Sequence, residues 1–381
     1  MKALIDKNRF IGLEDCTWLY SGAEVPPHKG CLEAVTEYFN ARAKGPHGRE
    51  RNAEIEQACK LNLASLLNGV PSDIALLSNS SEVISMIAHS LDFDEGDNVV
   101  INDLEFPSGV LPMVLQKQIG LEVRVVRHTK WRITVDDIMS QVDERTRMVL
   151  TSHVSYLTGA RLDYRALYER LKHTPTLLFL DATQSLGAIP VDMNNADFVV
   201  CSSYKWLLST HGMGVLAVNP SRVADFKPRS VGWRSVSDMF GPNRFESFTF
   251  HEDARRFELG YPSYPTVYAA NFSTGLLLEH GIDRIEKHIL ELGGKVIERL
   301  QACGYEVMTP TEPDQRAGNI SVVFEDGEAI ANHLCEHNVY VWGGDGRFRV
   351  SVHLFNDEED IDKLFDALEI YWNRNQSIVV D

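Results

Sequence analysis

The sequence predicts an α/β fold with a mostly parallel central sheet, followed by a smaller α+β domain. Through roughly the first 220 residues, short apolar runs alternate with segments of helical periodicity. Several of these runs are apolar at every position, which is typical of parallel strands that helices cover on both faces. After Pro262 a long helical pattern leads into short strands and a last amphipathic helix. This change of pattern indicates a second, smaller unit.

The first unit is predicted to contain seven strands, at residues 74–77, 98–101, 123–126, 148–152, 177–180, 198–201 and 214–218. Helices are expected between them, for example at 82–91 and 164–172. The second unit is predicted as a helix from about 265 to 303, strands at 306–308, 319–324, 339–342 and 348–354, and a helix at 358–375. We therefore expect a large domain over 13–262 and a small domain over 263–381 together with 1–12.

Composition narrows the class of protein. The chain has 381 residues, of which 44% are hydrophobic and 24% charged, as in an ordinary globular protein with a sizeable core. Its formal net charge of −17 repels phosphate backbones and anionic lipid, so neither nucleic acid nor a membrane is expected as a partner. The six cysteines form no C-x-x-C pair, and neither a signal peptide nor an apolar membrane segment is visible. These features predict a cytoplasmic protein.

Two candidate catalytic residues follow the ends of predicted strands. Asp181 closes the apolar run LLFLD, and Lys205 follows Ser202, Ser203 and Tyr204 after the run DFVVC. Ligands of open parallel sheets gather at the carboxyl ends of the strands. An amine, a carboxylate and hydroxyl groups are what pyridoxal 5'-phosphate needs for its Schiff base, its pyridine nitrogen and its phosphate. Considered separately, Asp181 as a helix cap and Lys205 as a solvated side chain are open structural alternatives.

The stretches LLFLDATQSLG and CSSYKW resemble the cofactor region of the class V aminotransferase family. This family of fold-type-I pyridoxal-phosphate enzymes includes cysteine desulfurases, kynureninase and isopenicillin N epimerase-like proteins, and the resemblance spans about residues 10 to 372. It implies that Lys205 forms the Schiff base and that Asp181 holds the pyridine nitrogen. It further implies that the amide of Gln184 contacts the phenolic oxygen of the cofactor, and that Ser202 and Tyr204 donate to the phosphate.

Three further segments resemble the family in the same order. LSNSSEVISM resembles the turn that opens a helix at the phosphate, which assigns Ser81 to phosphate binding; a plain helix cap is the structural alternative. NDLEFPSG resembles the loop that lays a ring over the cofactor, which implies that Phe106 is the stacking residue. TSHVSYLTG resembles the strand end that reaches the substrate, which implicates Ser155 and Tyr156.

Other matches concern the assembly and the substrate. VGWRSV and FELGYPSYPT resemble segments through which one subunit completes its neighbour's cofactor site, which implies a homodimer and implicates Trp233, Ser263 and Tyr264. GRFRVSVHLFN resembles the family's Arg-x-Ser strand, so Arg349 is expected to fork onto the substrate α-carboxylate, with Arg347 as the alternative. SGAEVPP and GPHGRER resemble pocket-lining segments and implicate Ala23 and His47.

The cofactor motif does not select the reaction, but one loop is informative. Desulfurases of this family carry a nucleophilic cysteine before the arginine strand, whereas this chain runs through Gly343, Gly344, Asp345 and Gly346 into Arg347. Cys335 is expected on the preceding helix as a packed small hydrophobe. The resulting hypothesis is an enzyme acting on a small α-amino acid, as a Cβ-bond or C–S lyase without a catalytic cysteine. An aminotransferase or epimerase is the alternative, and a non-catalytic scaffold is a remote one.

Two other classes are disfavoured. A nicotinamide-dependent enzyme would carry G-x-G-x-x-G after its first strand, and this chain has no such motif there. His333 and His337 have the i, i+4 spacing of metal ligands, but no third ligand is near in sequence. We expect them on a helix surface, and no metal site is predicted.

Overall fold

A computed structural model describes residues 1–378, with side chains through 373. Its strands are β1 (Thr17–Trp18), β2 (Ile74–Leu77), β3 (Asn98–Asn102), β4 (Glu122–Val126), β5 (Thr146–Ser152), β6 (Leu177–Asp181), β7 (Phe198–Ser202), β8 (Gly214–Val218), β9 (Asn319–Val323), β10 (Val339–Tyr340), β11 (Trp342–Gly344) and β12 (Arg347–Ser351). Its helices are α1 (Lys29–Arg42), α2 (Pro46–Leu67), α3 (Ser80–Ser90), α4 (Pro107–Gln116), α5 (Val135–Met139), α6 (Tyr164–Leu171), α7 (Pro220–Val223), α8 (Tyr264–His280), α9 (Ile282–Ala302), α10 (Gly327–Glu336) and α11 (Glu358–Ile378).

The central sheet has seven strands in the order β2-β8-β7-β6-β5-β3-β4. Strand β8 runs antiparallel to β2 and β7, and the other neighbouring pairs are parallel, so the sheet is mostly parallel as predicted. Both faces of the sheet are buried. Leu178 and Leu180 of β6 enter one hydrophobic cluster, while Phe179 between them enters a second cluster on the opposite face. Burial on both faces explains why these strands are apolar at consecutive positions.

The predicted helix over 265–303 is wrong in one respect, because it is two helices. Gly281 has φ +79°, donates its backbone N–H to the Leu277 carbonyl at the end of α8, and directly precedes α9. This left-handed backbone favours glycine and allows the chain to change direction. The predicted strand at 306–308 is reduced to a single bridge between Val307 and Val322. The apolar run at 339–342 divides into β10 and β11, which join different sheets.

The C-terminal part contains an antiparallel sheet in the order β11-β12-β9. The strand predicted at 348–354 is β12 and ends at Ser351. Strand β1 pairs in parallel with β10, so the N-terminal segment packs onto this part of the chain. The domain boundary near 262 stays a prediction. Among residues 1–378, none of the helices is both long and apolar enough to span a bilayer.

Two side chains differ from expectation on α10. Cys335 lies on this helix as predicted, but its side chain is exposed, so its interpretation as a packed residue is wrong. His333 is buried rather than on the helix surface, and its Nε2 lies 3.1 Å from the Ala367 carbonyl oxygen. The helical periodicity placed these residues on the correct element, but it did not resolve which face packs against α11.

Candidate active site

Three neighbouring strands end at one edge of the central sheet and bring polar side chains together. Strand β5 ends at Ser152, β6 at Asp181 and β7 at Ser202, and Ser152 lies directly opposite Asp181 in the ladder. The first turns of α3 and α4 open at the same edge. Together they form a cavity lined by Ser80, Ser81, Phe106, Ser108, Ser152, Val154, Tyr156, Asp181, Thr183, Gln184, Ser202, Tyr204 and Lys205.

Lys205 lies in this cavity with an amine that has no ionic partner. Its side chain is buried, and among the described side chains no carboxylate oxygen lies within 4.0 Å of Nζ. The nitrogen lies 5.6 Å from the ring centres of Phe106 and Tyr204. The pKa of Lys205 is lowered to about 8, mainly by burial and also by the charge of Arg349, while the charge of Asp181 opposes both effects. An amine with this pKa is partly unprotonated near neutral pH and is therefore a nucleophile.

Asp181 is the buried acid of the cavity. Its Oδ1 accepts a hydrogen bond of 2.8 Å from the backbone N–H of Thr183. Burial raises the pKa of Asp181, while the Thr183 hydrogen bonds and the charge of Lys205 act in the opposite direction. A carboxylate held in this way is suited to pair with a protonated ring nitrogen. A buried negative charge is unfavourable alone, and the cationic ring nitrogen would compensate it.

The Gln184 amide has a fixed orientation. Its Oε1 accepts from the Trp206 indole N–H and from Asn319 Nδ2, both at 2.9 Å, and its Nε2 donates to the Gly22 carbonyl at 2.8 Å. Because an indole N–H only donates, the amide oxygen must face Trp206. The second hydrogen of Nε2 remains for a ligand oxygen.

Hydroxyl groups cluster where α3 begins. Ser80 Oγ lies 2.6 Å from Ser202 Oγ, and Ser81 Oγ lies 2.7 Å from Ser108 Oγ. Asn79 caps the helix by accepting from the Glu82 backbone N–H, so Ser81 is not the N-cap residue. Hydroxyls beside the positive end of a helix suit a phosphate group. The sequence indicated Ser81 and Ser202 but missed Ser80 and Ser108, although Ser80 is adjacent to Ser81 in the quoted segment.

Two aromatic side chains cover the cavity. Phe106 precedes α4 and packs edge-on against Tyr156, with ring centres 5.0 Å apart. Tyr204 stacks on His211 at 3.9 Å. Phe106, predicted as the stacking residue, and Tyr204, predicted as a phosphate donor, thus both place a ring beside the Lys205 amine.

Arg349 approaches from the C-terminal part of the chain. Its guanidinium is buried, and Nη1 donates to the Tyr156 carbonyl at 2.7 Å. The pKa of Arg349 is lowered to about 10, mainly by burial and also by the charge of Arg347. A buried arginine fork close to the lysine is suited to bind a carboxylate in two hydrogen bonds.

Seven predicted residues do not line this cavity: Arg349, described above, and Ser155, Ala23, His47, Trp233, Ser263 and Tyr264. Ser155 is buried in its own loop, where Oγ donates to the Leu104 carbonyl and accepts from two backbone N–H groups. Ala23 lies in a turn, and His47 is exposed at the start of α2. Trp233 packs on Tyr261 at 4.8 Å. The substrate roles of these residues, and the roles in a neighbouring subunit of Trp233, Ser263 and Tyr264, stay predictions.

Sequence reasoning missed a buried acid behind the cavity. Glu105 Oε1 accepts from the Ser152 backbone N–H at 2.7 Å, and Oε2 accepts from Ser152 Oγ at 2.5 Å. Asn102 Nδ2 donates to the same carboxyl at 2.6 Å. Burial raises the pKa of Glu105 to about 7. In sequence, a glutamate in a polar loop looks the same whether it is exposed or buried. The residues around Glu105 therefore gave no indication of its burial.

The donor set fits pyridoxal 5'-phosphate. The cavity contains an unpaired amine for the aldehyde, a buried carboxylate for the ring nitrogen and paired hydroxyls at a helix start for the phosphate. No group of three or more potential metal ligands exists among the described residues.

Comparisons with known proteins agree with this geometry. The family Aminotransferase class-V matches residues 18–364. The uncharacterized aminotransferase YcbU of Bacillus subtilis is 24% identical over 94% of this chain and 95% of its own length. An apo cysteine desulfurase from Thermococcus onnurineus superposes with a TM-score of 0.88 at 21% identity, covering 97% of this chain and 99% of the other. The cystine C–S lyase C-DES, solved with cysteine persulfide, gives 0.86 at 21% identity, covering 94% and 98%.

The family match covers most of the chain, and the structural neighbours share its fold over nearly their whole length. Both the predicted α/β class and the predicted family are confirmed. The chain belongs to the class V aminotransferase family of fold-type-I, pyridoxal-phosphate-dependent enzymes.

Proposed function

We propose that this protein acts on a small α-amino acid as a Cβ-bond or C–S lyase that uses no enzyme thiol. The main support for this proposal is the arrangement at the edge of the sheet. The unpaired Lys205 amine lies near Asp181 there, and Arg349 faces both from β12. When bound there, pyridoxal phosphate supplies an aldehyde for the amine and a ring that accepts electrons from the substrate Cα.

Each residue then has a defined task. Lys205 Nζ would hold the cofactor through its aldehyde and would move a proton at the substrate carbons, while Asp181 would keep the ring nitrogen protonated. The Ser80–Ser202 and Ser81–Ser108 pairs would hold the phosphate, and Gln184 Nε2 would donate to the phenolic oxygen. The Arg349 guanidinium fixes the α-carboxylate and thereby the orientation of the Cα–H bond.

The turn between β11 and β12 argues against a persulfide mechanism. Gly344 pairs with Arg347, which leaves a loop of only Asp345 and Gly346, and neither residue is a cysteine. Cys31, Cys59 and Cys201 are buried, and burial raises the pKa of each thiol. A thiolate nucleophile needs a lowered pKa and access to the substrate. Cys335 is exposed, but it lies on α10 rather than at the turn.

Two relatives favour different reactions. The similarity to the C–S lyase C-DES supports cleavage of the bond between Cβ and sulfur. The similarity to YcbU, which is described as an aminotransferase, supports amino transfer as the second candidate. Both reactions begin with removal of the Cα proton by Lys205, so the residues named above serve either one.

The decisive experiment incubates the holoenzyme with a panel of amino acids that includes cysteine, cystine, serine, aspartate and glutamate. Pyruvate with ammonia, or alanine with CO₂ from aspartate, would support a Cβ-bond lyase. Exchange of the amino group that depends on an added 2-oxoacid would contradict the lyase and support the aminotransferase instead. Alanine with elemental sulfur from cysteine would contradict the proposal, because that product pair requires sulfur transfer to a thiol.

A further inference from the structure

We propose that Arg347 forms a second anion subsite beside Arg349, so that the substrate is an α-amino acid whose side chain ends in a carboxylate. In this arrangement Arg349 binds the α-carboxylate and Arg347 the side-chain carboxylate. The inference rests on the proposed function, because it names the substrate class of the same site.

The turn before β12 determines where the two arginines point. Asp345 and Gly346 have φ of +53° and +70°, as in the two-residue hairpin turns that favour Asp-Gly. This turn fixes the register of β12, and residues two apart on a strand lie on the same face, about 7 Å apart. Arg347 and Arg349 therefore project to the same side, towards Tyr156, which lines the Lys205 cavity.

Both guanidinium groups lie over the Trp342 ring, and both arginines contact Tyr156. Their central carbons lie 4.5 Å (Arg347) and 5.5 Å (Arg349) from the Trp342 ring centre. Arg347 also lies 5.5 Å from the Tyr156 ring and within hydrogen-bonding reach of its hydroxyl. Since Arg349 donates to the Tyr156 carbonyl, one residue of the cavity wall contacts both arginines.

The charge of this pair is not balanced. Arg347 and Arg349 are only 2% and 3% exposed, and the Nε of each is buried without a partner among the described residues. The carboxylate that pairs with Arg347, at 2.6 Å, is Asp345, whose side chain is 71% exposed. Two buried cations that face one exposed carboxylate repel each other, and a ligand with two carboxylates would relieve this repulsion.

Other buried arginines of the chain have structural roles that Arg347 lacks. Arg316 donates to the carbonyls of Thr311 and Leu290, and Arg256 donates to the carbonyls of Glu252 and Val223, so each links separate segments. Arg347 instead donates to Asp345, two residues earlier in its own hairpin. Its burial is therefore better explained by a ligand than by stabilisation of the fold.

The first test measures binding to the holoenzyme with matched ligands. Aspartate and glutamate are titrated against their neutral isosteres asparagine and glutamine by the change in the cofactor absorption band. Succinate and butyrate, which lack an amino group, are compared by the shift in melting temperature. We expect each dicarboxylate to bind about 10- to 100-fold more tightly than the matched ligand that lacks the second carboxylate, which is the range of a charge-assisted hydrogen bond.

Two variants locate the effect. Arg347→Gln should abolish the preference for dicarboxylates and leave the affinity for asparagine and glutamine unchanged, with Arg347→Lys intermediate. Asp345→Asn removes the competing carboxylate from an exposed position, and asparagine tolerates the left-handed backbone there. This variant should bind dicarboxylates about 2- to 5-fold more tightly. It also keeps the test valid if Arg347→Gln does not fold.

The outcomes separate the two proposals. If no amino acid changes the cofactor band, the proposed function itself fails. If neutral amino acids change the band as readily as aspartate and glutamate, or if Asp345→Asn leaves dicarboxylate binding unchanged, only the second subsite is overturned. Tighter binding of cysteine sulfinate or O-phosphoserine than of either dicarboxylic acid would overturn the assignment to a carboxylate.

Discussion

Among the residues whose side chains the structure describes, two lysines are buried, and their electrostatic surroundings are opposite. Lys60 on α2 has its Nζ 2.6 Å from Glu258 and 3.9 Å from Glu56, and Arg234 pairs with the same two carboxylates. This cluster contains two cations and two anions and is neutral. Lys205 is buried to a similar extent, but no carboxylate among the described side chains lies within 4.0 Å of its amine.

The presence or absence of carboxylate partners distinguishes a structural lysine from a reactive one. Partners that balance a buried charge also hold the amine protonated and remove its nucleophilicity. Burial without such partners lowers the pKa of Lys205 to about 8 and keeps its lone pair available, but it lowers the stability of the fold. Substitution of each lysine by methionine, which has a similar shape, should therefore have opposite consequences.

The largest expected effect is on catalysis. Lys205→Met should reduce turnover by at least about 10²- to 10⁴-fold, because the variant loses the group that moves the substrate proton. It should also lack the near-visible band of the bound cofactor. Absorption spectra and steady-state rates measure both changes. Turnover within tenfold of the wild type would show that another base serves the site.

Lys60→Met should instead affect folding. Removing one cation leaves Glu258 and Glu56 to share Arg234, and breaking a buried ion cluster in this way costs about 3 to 5 kcal/mol of unfolding free energy. Urea denaturation measures the loss. The protein that remains folded should keep the cofactor band and its turnover, whereas loss of the band at full folding would place Lys60 in the site.

The third effect concerns the pH dependence of stability without cofactor. The pKa of Lys205 is about 8 in the folded chain and near 10.5 when unfolded, so the unfolded state binds more protons between these values. Wild-type stability should therefore rise with pH across this window. Lys205→Met should be more stable by up to about 3 kcal/mol below pH 8, and the difference should vanish near pH 10.5.

The same urea titrations at several pH values test this sign. Lys287→Met serves as a control, because that side chain is 75% exposed and its replacement should change stability by less than about 0.5 kcal/mol at every pH. A gain for Lys205→Met that does not vary with pH would indicate packing rather than charge as its cause.

The smallest effect concerns the hydroxyl pairs. Ser80→Ala removes one donor beside Ser202. A single hydrogen bond to a charged phosphate is worth about 1.5 to 3 kcal/mol, or roughly 10- to 150-fold in cofactor affinity. Neighbouring donors compensate for part of this loss. We expect a loss of about 10-fold, measured by fluorescence titration of the apoprotein with pyridoxal phosphate. Ser65→Ala, an exposed serine of α2 that bonds its own helix, is the matched control.

The sequence predicted well what local pattern determines. Strands buried on both faces are apolar at successive positions, so all seven strands of the central sheet were expected close to their observed bounds. Lys205, Asp181 and Gln184 were identified because they follow strand ends within a dense family motif. Glu105 was missed, since its burial depends on packing between loops distant in sequence. The charge imbalance of Arg347 was likewise invisible before the register of β12 was known.

The most direct test of the account is to find which lysine the cofactor labels. The holoenzyme is reduced with borohydride, digested and analysed by mass spectrometry of its peptides. We expect the pyridoxyl group on Lys205 and an unmodified Lys60, because only an amine without a carboxylate partner is free to react. Label on Lys60 or on an exposed lysine, or a protein that stays colourless with added pyridoxal phosphate, would contradict it.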